Sequence, residues 1–174
     1  MIEISNVSKH YGKTPVLRNI SAQLQSGTIY GLVGANGCGK TTLMRCICGF
    51  AKPDAGFVRV DGKVIGKDCD FAPSMGIIIE TPGFLSHMTA RQNLSILSRI
   101  TGKVSDSQIS DVIRRVGLDP DDRKPVGKYS LGMRQRLGIA QSLLENPTAL
   151  LWDEPFNGLD ATGIADIHLS LIHI

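Results

Sequence analysis

The chain has 174 residues, about the length of one domain with room for a subdomain. Hydrophobic residues make up 42% and charged residues 20%, a composition typical of a folded globular protein that excludes a disordered chain. The chain has 19 Lys and Arg residues against 16 Asp and Glu residues, a net charge of +3. So small an excess of positive charge does not favour a dedicated nucleic-acid-binding protein.

The first half of the chain is predicted to be mainly β structure around one glycine-rich loop. Alternating or short apolar runs predict strands at residues 2–7, 16–24, 28–33 and 57–60. The run at 28–33 ends in Gly34, and a helical pattern follows at 40–48. The order is therefore strand, glycine loop and helix. Asp61-Gly62 predicts a tight hairpin turn.

From Thr89 onward the spacing of apolar residues changes to that of helices. Two capping-box patterns, each a hydroxyl residue followed three positions later by a glutamine, predict helices that begin after Thr89 and Ser105. A third predicted helix begins after Ser130 and runs through Leu144. This mainly helical insert separates two further predicted strands, at 76–80 and 149–152.

Residues 34–41 match the phosphate-loop pattern G-x-x-x-x-G-K-[ST] between a predicted strand and a predicted helix. Glycines let backbone N–H groups converge on phosphate oxygens, and the helix directs its positive N-terminal end at the same place. Lys40 is expected to reach the β and γ phosphates, and the Thr41 hydroxyl to bind Mg²⁺. A glycine-rich turn with a chance lysine is the alternative. The predicted nucleotide-binding residues here are Gly34, Ala35, Asn36, Gly37, Cys38, Gly39, Lys40, Thr41 and Thr42.

Two carboxylates follow the apolar strand at 149–152. Successive strand residues point to opposite sides, so Asp153 is expected to support Mg²⁺ while Glu154 orients or deprotonates the water that attacks the γ phosphate. A strand that simply ends in an acidic turn is the alternative. The phosphate loop upstream favours the catalytic interpretation.

A second candidate anion site begins at Ser130, where a serine cap and Gly132 precede a helix. The phosphate loop, this segment, the acidic strand end and residues 157–160, in that order, resemble the ATP-binding subunit of an ABC transporter over residues 2–167. The resemblance implies that residues 129–133 are the signature segment, usually LSGGQ, in which Ser130, Gly132 and Met133 contact nucleotide. Leu131 and Met133 depart from that pattern.

The same resemblance implies roles for residues outside these motifs. Residues 157–160 correspond to the D-loop, and Tyr11 to the aromatic residue that stacks on adenine; a turn tyrosine packed at the sheet edge is the alternative for Tyr11. The family usually has glutamine where this chain has Glu80, and the run from Glu80 to Leu94 is similar to ATPase subunits for bacitracin and lantibiotic self-protection. Glu80 is expected to bind Mg²⁺ or water more strongly than an amide, the alternative being a solvated glutamate.

The expected fold is an α/β phosphate-loop NTPase core of the ABC ATPase type, with an antiparallel β edge and a helical insert. We expect one ATP-binding domain over residues 1–174, with its core at 1–83 and 147–174 and its helical subdomain at 84–146. The family has a histidine on a strand after the last helix, and the residues after Asp160 are too few for helix, loop and strand. His168 and His173 are therefore not expected to be that histidine. We expect a chain truncated at its C-terminus and by itself a poor ATPase.

The predicted function is ATP binding and hydrolysis, with Mg²⁺, by a subunit of an exporter for peptide antibiotics. The expected partners are a membrane-spanning permease and a second ATP-binding subunit. The permease is expected because no apolar run in this sequence approaches the about 20 residues of a membrane span. The expected location is the cytoplasmic face of the cell membrane, and nucleic acid is not an expected partner. The alternatives are a soluble ABC ATPase that acts on nucleic acid or ribosomes, and a nucleotide-binding fragment that does not hydrolyse ATP.

Overall fold

The structure, a computed structural model, describes residues 1–80 and 82–159. Its backbone forms two compact units, one of residues 1–75 and one that begins at residue 76. The expected last helix after Asn157, together with His168 and His173, lies outside the described residues. None of the described helices is long and apolar enough to cross a membrane.

The first unit is an antiparallel sheet with one helix. Its strands, in the spatial order β2-β1-β3-β4, are antiparallel throughout, which confirms the expected antiparallel β edge. The elements in chain order are β1 (Ile2–Tyr11), β2 (Thr14–Leu24), α1 (Lys40–Cys48), β3 (Ala55–Val60) and β4 (Lys63–Val64).

The core of the first unit lies between helix α1 and the sheet. Cys46 and Ile47 of α1 are buried, as are Val7 of β1 and Val58 of β3. The hairpin turn predicted between β3 and β4 is confirmed: Asp61 and Gly62 both have positive φ, 45° and 84°, which is the backbone that a tight two-residue hairpin requires.

The run 28–33 is not a strand, so this prediction is wrong. Its side chains are exposed, with Ile29 at 93% and Val33 at 94%, and no strand within the described ranges pairs with it. An apolar, β-branched run becomes a strand only when a neighbouring strand takes up its backbone N–H and C=O groups. The phosphate loop therefore follows a segment without regular secondary structure.

The second unit contains the other described helices and the remaining two strands. Strands β5 and β6 pair in a two-stranded sheet, and a short 3-10 helix at Val126–Lys128 precedes the last helix described. The elements are β5 (Met75–Ile78), α2 (Ala90–Thr101), α3 (Asp106–Arg115), α4 (Leu131–Leu143) and β6 (Ala149–Trp152).

Both predicted capping boxes are confirmed. The Thr89 hydroxyl accepts a hydrogen bond from the backbone N–H of Gln92, and the Gln92 side chain accepts one from the backbone N–H of Thr89. Ser105 and Gln108 make the same pair of bonds at the start of α3. These reciprocal bonds satisfy N–H groups that a helix start otherwise leaves without a partner.

Helix α4 lies close to the two-stranded sheet. A Cβ added at Gly76 of β5 would lie 2.1 Å from the carbonyl oxygen of Ser142, so only glycine allows this approach. The indole Nε1 of Trp152 in β6 donates a hydrogen bond to the Ser142 hydroxyl at 3.0 Å. Both strands are therefore placed relative to α4.

Candidate functional site

The phosphate loop curves around the ammonium group of Lys40. The Nζ of Lys40 donates hydrogen bonds to the carbonyl oxygens of Gly34 and Ala35, at 2.8 and 3.0 Å. The backbone N–H of Cys38 donates to the same Ala35 oxygen at 3.2 Å. These bonds turn the first carbonyl groups of the loop toward Lys40, and the loop residues 34–38 stay exposed to solvent.

Two glycines make this curvature available. Gly37 and Gly39 have φ of 79° and 102°, which side chains other than glycine rarely adopt. A Cβ at Gly34 would lie 2.7 Å from the Sγ of Cys38. Helix α1 begins directly after Gly39, so the positive end of its dipole lies at the end of the loop. An anion with several oxygens fits this arrangement.

Tyr11 lies at the end of β1 in the same unit. It is 50% exposed, and the Nζ of Lys9 lies 5.7 Å from the centre of its ring. Lys9 is paired in register with Leu17 of β2, and a Cβ at Gly39 would lie 3.0 Å from Leu17. The end of the phosphate loop therefore packs against the strand that pairs with β1 just before Tyr11.

The signature segment starts helix α4 in the second unit. The Ser130 hydroxyl accepts a hydrogen bond from the backbone N–H of Met133 at 3.2 Å and so caps the helix. The Arg134 guanidinium donates to the carbonyl oxygen of Tyr129 at 2.7 Å, and Tyr129 is buried. Burial raises the pKa of the Tyr129 hydroxyl. The hydrogen bonds of Ser130 and Arg134 fix the backbone at this helix start, and Ser130 stays exposed.

Two of the predicted carboxylates follow strands that pair with each other. The backbone N–H of Asp153, directly after β6, donates to the carbonyl oxygen of Ile78 at 2.7 Å, and Glu80 follows β5 two residues later. Glu80 is exposed, and its φ of 63° turns the chain out of the strand direction. The sheet thus brings the predicted metal-binding residues Asp153 and Glu80 to the same pair of strand ends.

Glu154 is exposed and has a left-handed backbone, with φ of 47°. Its Oε2 accepts a hydrogen bond from the side-chain Nδ2 of Asn157, and its carbonyl oxygen accepts one from the backbone N–H of the same residue. The carboxylate is therefore held in one orientation by its own turn.

The chain after Glu154 returns to the start of helix α4. A Cβ at Gly132 would lie 2.8 Å from the carbonyl oxygen of Gly158, and a Cβ at Gly158 would lie 2.6 Å from Leu131. The Gln135 side chain donates to the carbonyl oxygen of Pro155 at 2.9 Å. The signature segment and the turn after β6 therefore contact each other directly, although they are at least twenty residues apart in the chain.

The predicted site residues thus fall into two groups. The first unit contains Tyr11 and the whole phosphate loop, through Lys40, Thr41 and Thr42; the second contains the signature segment and the carboxylates. Sequence reasoning placed Asn157 in the D-loop without predicting its hydrogen bond to Glu154, and it missed Gln135. Asn157 lies three residues after Glu154, which is the spacing of a tight turn, and this spacing could have predicted their contact. Nothing in the sequence pairs Gln135 with Pro155.

Comparisons with known proteins identify the family of this chain. Residues 17–157 match the ABC transporter family. An ABC transporter ATP-binding protein of unknown role from Bacillus subtilis, YybJ, is 47% identical over 97% of this chain and 77% of its own length. The bacitracin transport ATP-binding protein BcrA of Enterococcus faecalis is 45% identical, over 96% of this chain and 54% of its own length.

A lantibiotic transport ATP-binding protein of Streptococcus pyogenes, SrtF, is 38% identical over 96% of this chain and 72% of its own length. Among solved structures, the dimeric post-hydrolysis state of the ATP-binding cassette MJ0796 with ADP and Pi has a TM-score of 0.85. It covers 98% of this chain and 81% of the other at 21% identity, so that likeness shows the fold. The chain belongs to the ABC transporter family and has the fold of its ATP-binding domain.

Proposed function

We propose that the protein binds ATP and hydrolyses it as the ATP-binding subunit of an exporter that protects the cell against peptide antibiotics. The observation that carries the ATP-binding part is the phosphate loop, in which Lys40 is held at 2.8 and 3.0 Å from two loop carbonyl oxygens at the start of α1. A lysine held there can exchange carbonyl oxygens for phosphate oxygens without leaving the loop.

Residues of the first unit would bind ATP both at its phosphates and at its base. The backbone N–H groups of residues 34–39, with Lys40, would hold the phosphates, and the exposed ring of Tyr11 would stack on the base. Thr41 and Asp153 are the proposed Mg²⁺ ligands, because hydroxyl and carboxylate oxygens suit a hard cation. Bound Mg²⁺ supplies charge neutralisation of the phosphates.

Hydrolysis would depend on Glu154. Its carboxylate, oriented by Asn157, would accept a hydrogen bond from the attacking water, whose oxygen bonds to the γ phosphorus as the bond to the β-phosphate oxygen breaks. Glu80 is the proposed second carboxylate, for Mg²⁺ or water, and is exposed at a strand end. The products are ADP and inorganic phosphate.

A second ATP-binding subunit would complete the site. The Ser130 to Met133 segment is exposed or half-buried and starts a helix, so its N–H groups and hydroxyl suit the phosphates of ATP bound to a partner. The similar MJ0796 structure is dimeric, which supports this proposal.

The exporter part of the proposal comes from the relatives. The relatives BcrA and SrtF are ATP-binding proteins for the transport of bacitracin and of a lantibiotic, both peptide antibiotics, and they align with almost the whole chain. A permease would supply the membrane-spanning path and place this subunit at the cytoplasmic face of the membrane. The surface around residues 80–94 is the proposed contact with the permease.

The proposed function is tested by antibiotic survival. Cells that carry the full-length gene together with the gene of its permease should survive higher bacitracin or lantibiotic concentrations than cells without them. Lys40→Ala should abolish this protection, whereas Lys52→Ala, an exposed lysine of the same unit, should preserve it. Equal protection by the parent and Lys40→Ala, at equal protein levels, would contradict the proposal.

A further inference from the structure

The carboxylate of Asp54 contacts three groups at the end of β1. Its Oδ1 accepts a hydrogen bond from the Nζ of Lys9 at 2.9 Å, and its Oδ2 accepts one from the backbone N–H of His10 at 2.6 Å. The Nδ1 of His10 lies 3.1 Å from the same Oδ2. The backbone N–H of Asp54 in turn donates to the carbonyl oxygen of Ser8 at 2.9 Å.

The hydrogen bonds of Asp54 lie where β1 is no longer paired with β3. Strand β3 pairs with β1 only as far as Ser8, which lies opposite Ala55. On the other side, the register between β1 and β2 shifts between Lys9 and His10. The Asp54 side chain therefore replaces a neighbouring strand for the last residues of β1.

The stretch that Asp54 holds leads directly to Tyr11. Lys9 is bound to Asp54 and lies 5.7 Å from the centre of the Tyr11 ring, which places the ammonium between carboxylate and ring. His10 is the residue before Tyr11, and its backbone N–H is fixed by Asp54. Half of the Tyr11 surface stays exposed and available to a flat ligand.

We propose that Asp54 is a positioning residue that fixes Tyr11 for stacking on the base of a nucleotide. The inference rests on the proposed ATP site, and it assigns Asp54 to the recognition of the base rather than of the phosphates. A carboxylate suits this role, because one of its oxygens accepts from the Lys9 ammonium while the other accepts from the backbone N–H of His10.

The charge of Asp54 is permanent under physiological conditions. The hydrogen bond from Lys9, followed by those from the backbone and ring of His10, lowers the pKa of Asp54 to about 2. The same hydrogen bond raises the pKa of Lys9. Both side chains therefore keep their charges throughout the pH range in which ATP binding is measured.

The test compares ATP with inorganic tripolyphosphate, which has the phosphates but no base. In the full-length protein, Tyr11→Ala should weaken ATP binding about tenfold, and Asp54→Ala about threefold to tenfold. Neither variant should change tripolyphosphate affinity, whereas Lys40→Ala should weaken both ligands. The double variant should bind ATP no more weakly than Tyr11→Ala, because Asp54 acts through Tyr11.

Two further variants distinguish loss of the Lys9–Asp54 contact from a general loss of folded structure. Lys9→Gln removes the ion pair and leaves the Asp54 turn intact, so it should also weaken ATP and not tripolyphosphate. Asp68→Ala is the matched control, because Asp68 is an exposed carboxylate of the same unit that accepts a backbone N–H from Val64; it should change neither affinity.

Three outcomes would overturn the inference. Unchanged ATP affinity in Asp54→Ala and Lys9→Gln, with Lys40→Ala still defective, would contradict the role of Asp54 and preserve the ATP site. Equal weakening of ATP and tripolyphosphate by Asp54→Ala would place its effect on the phosphate loop. A parent protein that binds neither ligand would contradict the proposed function together with the inference.

Discussion

Lys40 makes the contacts on which the proposed ATP site depends most. Its ammonium is bound to the carbonyl oxygens of Gly34 and Ala35, and it lies at the first position of helix α1. No other side chain in the loop, residues 34–39, carries a positive charge. The phosphate affinity of the loop should therefore depend on this one group and on the backbone N–H groups around it.

Replacement of Lys40 by alanine should weaken ATP binding about a hundredfold, because charge-assisted hydrogen bonds to the phosphates are lost. Isothermal titration calorimetry on the full-length protein measures this directly. Lys52→Ala, which removes an exposed lysine of the same unit, should bind ATP like the parent. Equal ATP affinity in parent and Lys40→Ala would show that the loop does not bind phosphate through Lys40.

Asp54 gives a pH-dependent prediction. Its pKa is lowered from the ordinary 3.8 to about 2, chiefly by the hydrogen bond from Lys9, so the folded state prefers the charged form. Its contribution to stability is therefore complete above about pH 5 and is lost as the pH falls through about 2. Asp54→Asn should lower the melting temperature at about pH 6, and the difference from the parent should shrink below about pH 4. A difference independent of pH would contradict this account of the charge.

At the scale of elements, the close approach of β5 and α4 determines the position of the strand that leads to Glu80. Gly76 permits this approach, since a Cβ would lie 2.1 Å from the Ser142 carbonyl oxygen, and backbone cannot move aside as the end of a side chain can. Trp152, the one tryptophan of the chain, is hydrogen-bonded to the same serine. Its fluorescence therefore reports on this packing.

Gly76→Ala should destabilise the second unit by about 1–3 kcal/mol, the usual cost of forcing an extra methyl group into packed structure. Gly83→Ala is the matched control, because a Cβ there meets nothing within 4 Å and φ is not left-handed. It should change stability by about 0.5 kcal/mol or less. Urea unfolding followed by Trp152 fluorescence measures both variants, and equal midpoints would contradict the close approach.

The elements that sequence analysis predicted correctly are those with local signals. The capping boxes at Thr89 and Ser105 and the turn at Asp61-Gly62 are satisfied by residues within three positions of each other. The failed prediction at 28–33 depended on a distant partner, because a strand exists only if another segment bonds to its backbone. Apolar spacing alone carries no information about that partner.

The same distinction applies to the site. The phosphate loop was predictable because its glycines and Lys40 act within eight consecutive residues. The contact of Gly132 with Gly158, and the support of His10 by Asp54, join segments far apart in the chain. The left-handed backbone of Glu80 and Glu154 was also not predictable, since glutamate rarely adopts it.

At the scale of the whole molecule, ATP binding and ATP cleavage are proposed to depend on different residues. Lys40 and Tyr11 belong to the first unit and are proposed to bind ATP in the ground state. Glu154 belongs to the second unit and is proposed to act on the attacking water, which matters only in the transition state. A protein that performs both steps should allow binding and turnover to be separated by mutation.

The separation of binding from turnover is tested by measuring phosphate release from ATP in the presence of Mg²⁺. The full-length parent protein and Glu154→Gln are measured side by side. The substitution keeps nearly the size of the side chain and replaces the basic carboxylate with a neutral amide. Glu154→Gln should bind ATP within a few fold of the parent and release phosphate at least about a hundredfold more slowly. Phosphate release at the parent rate by Glu154→Gln would contradict the proposed catalytic role and the separation of ATP binding from ATP cleavage.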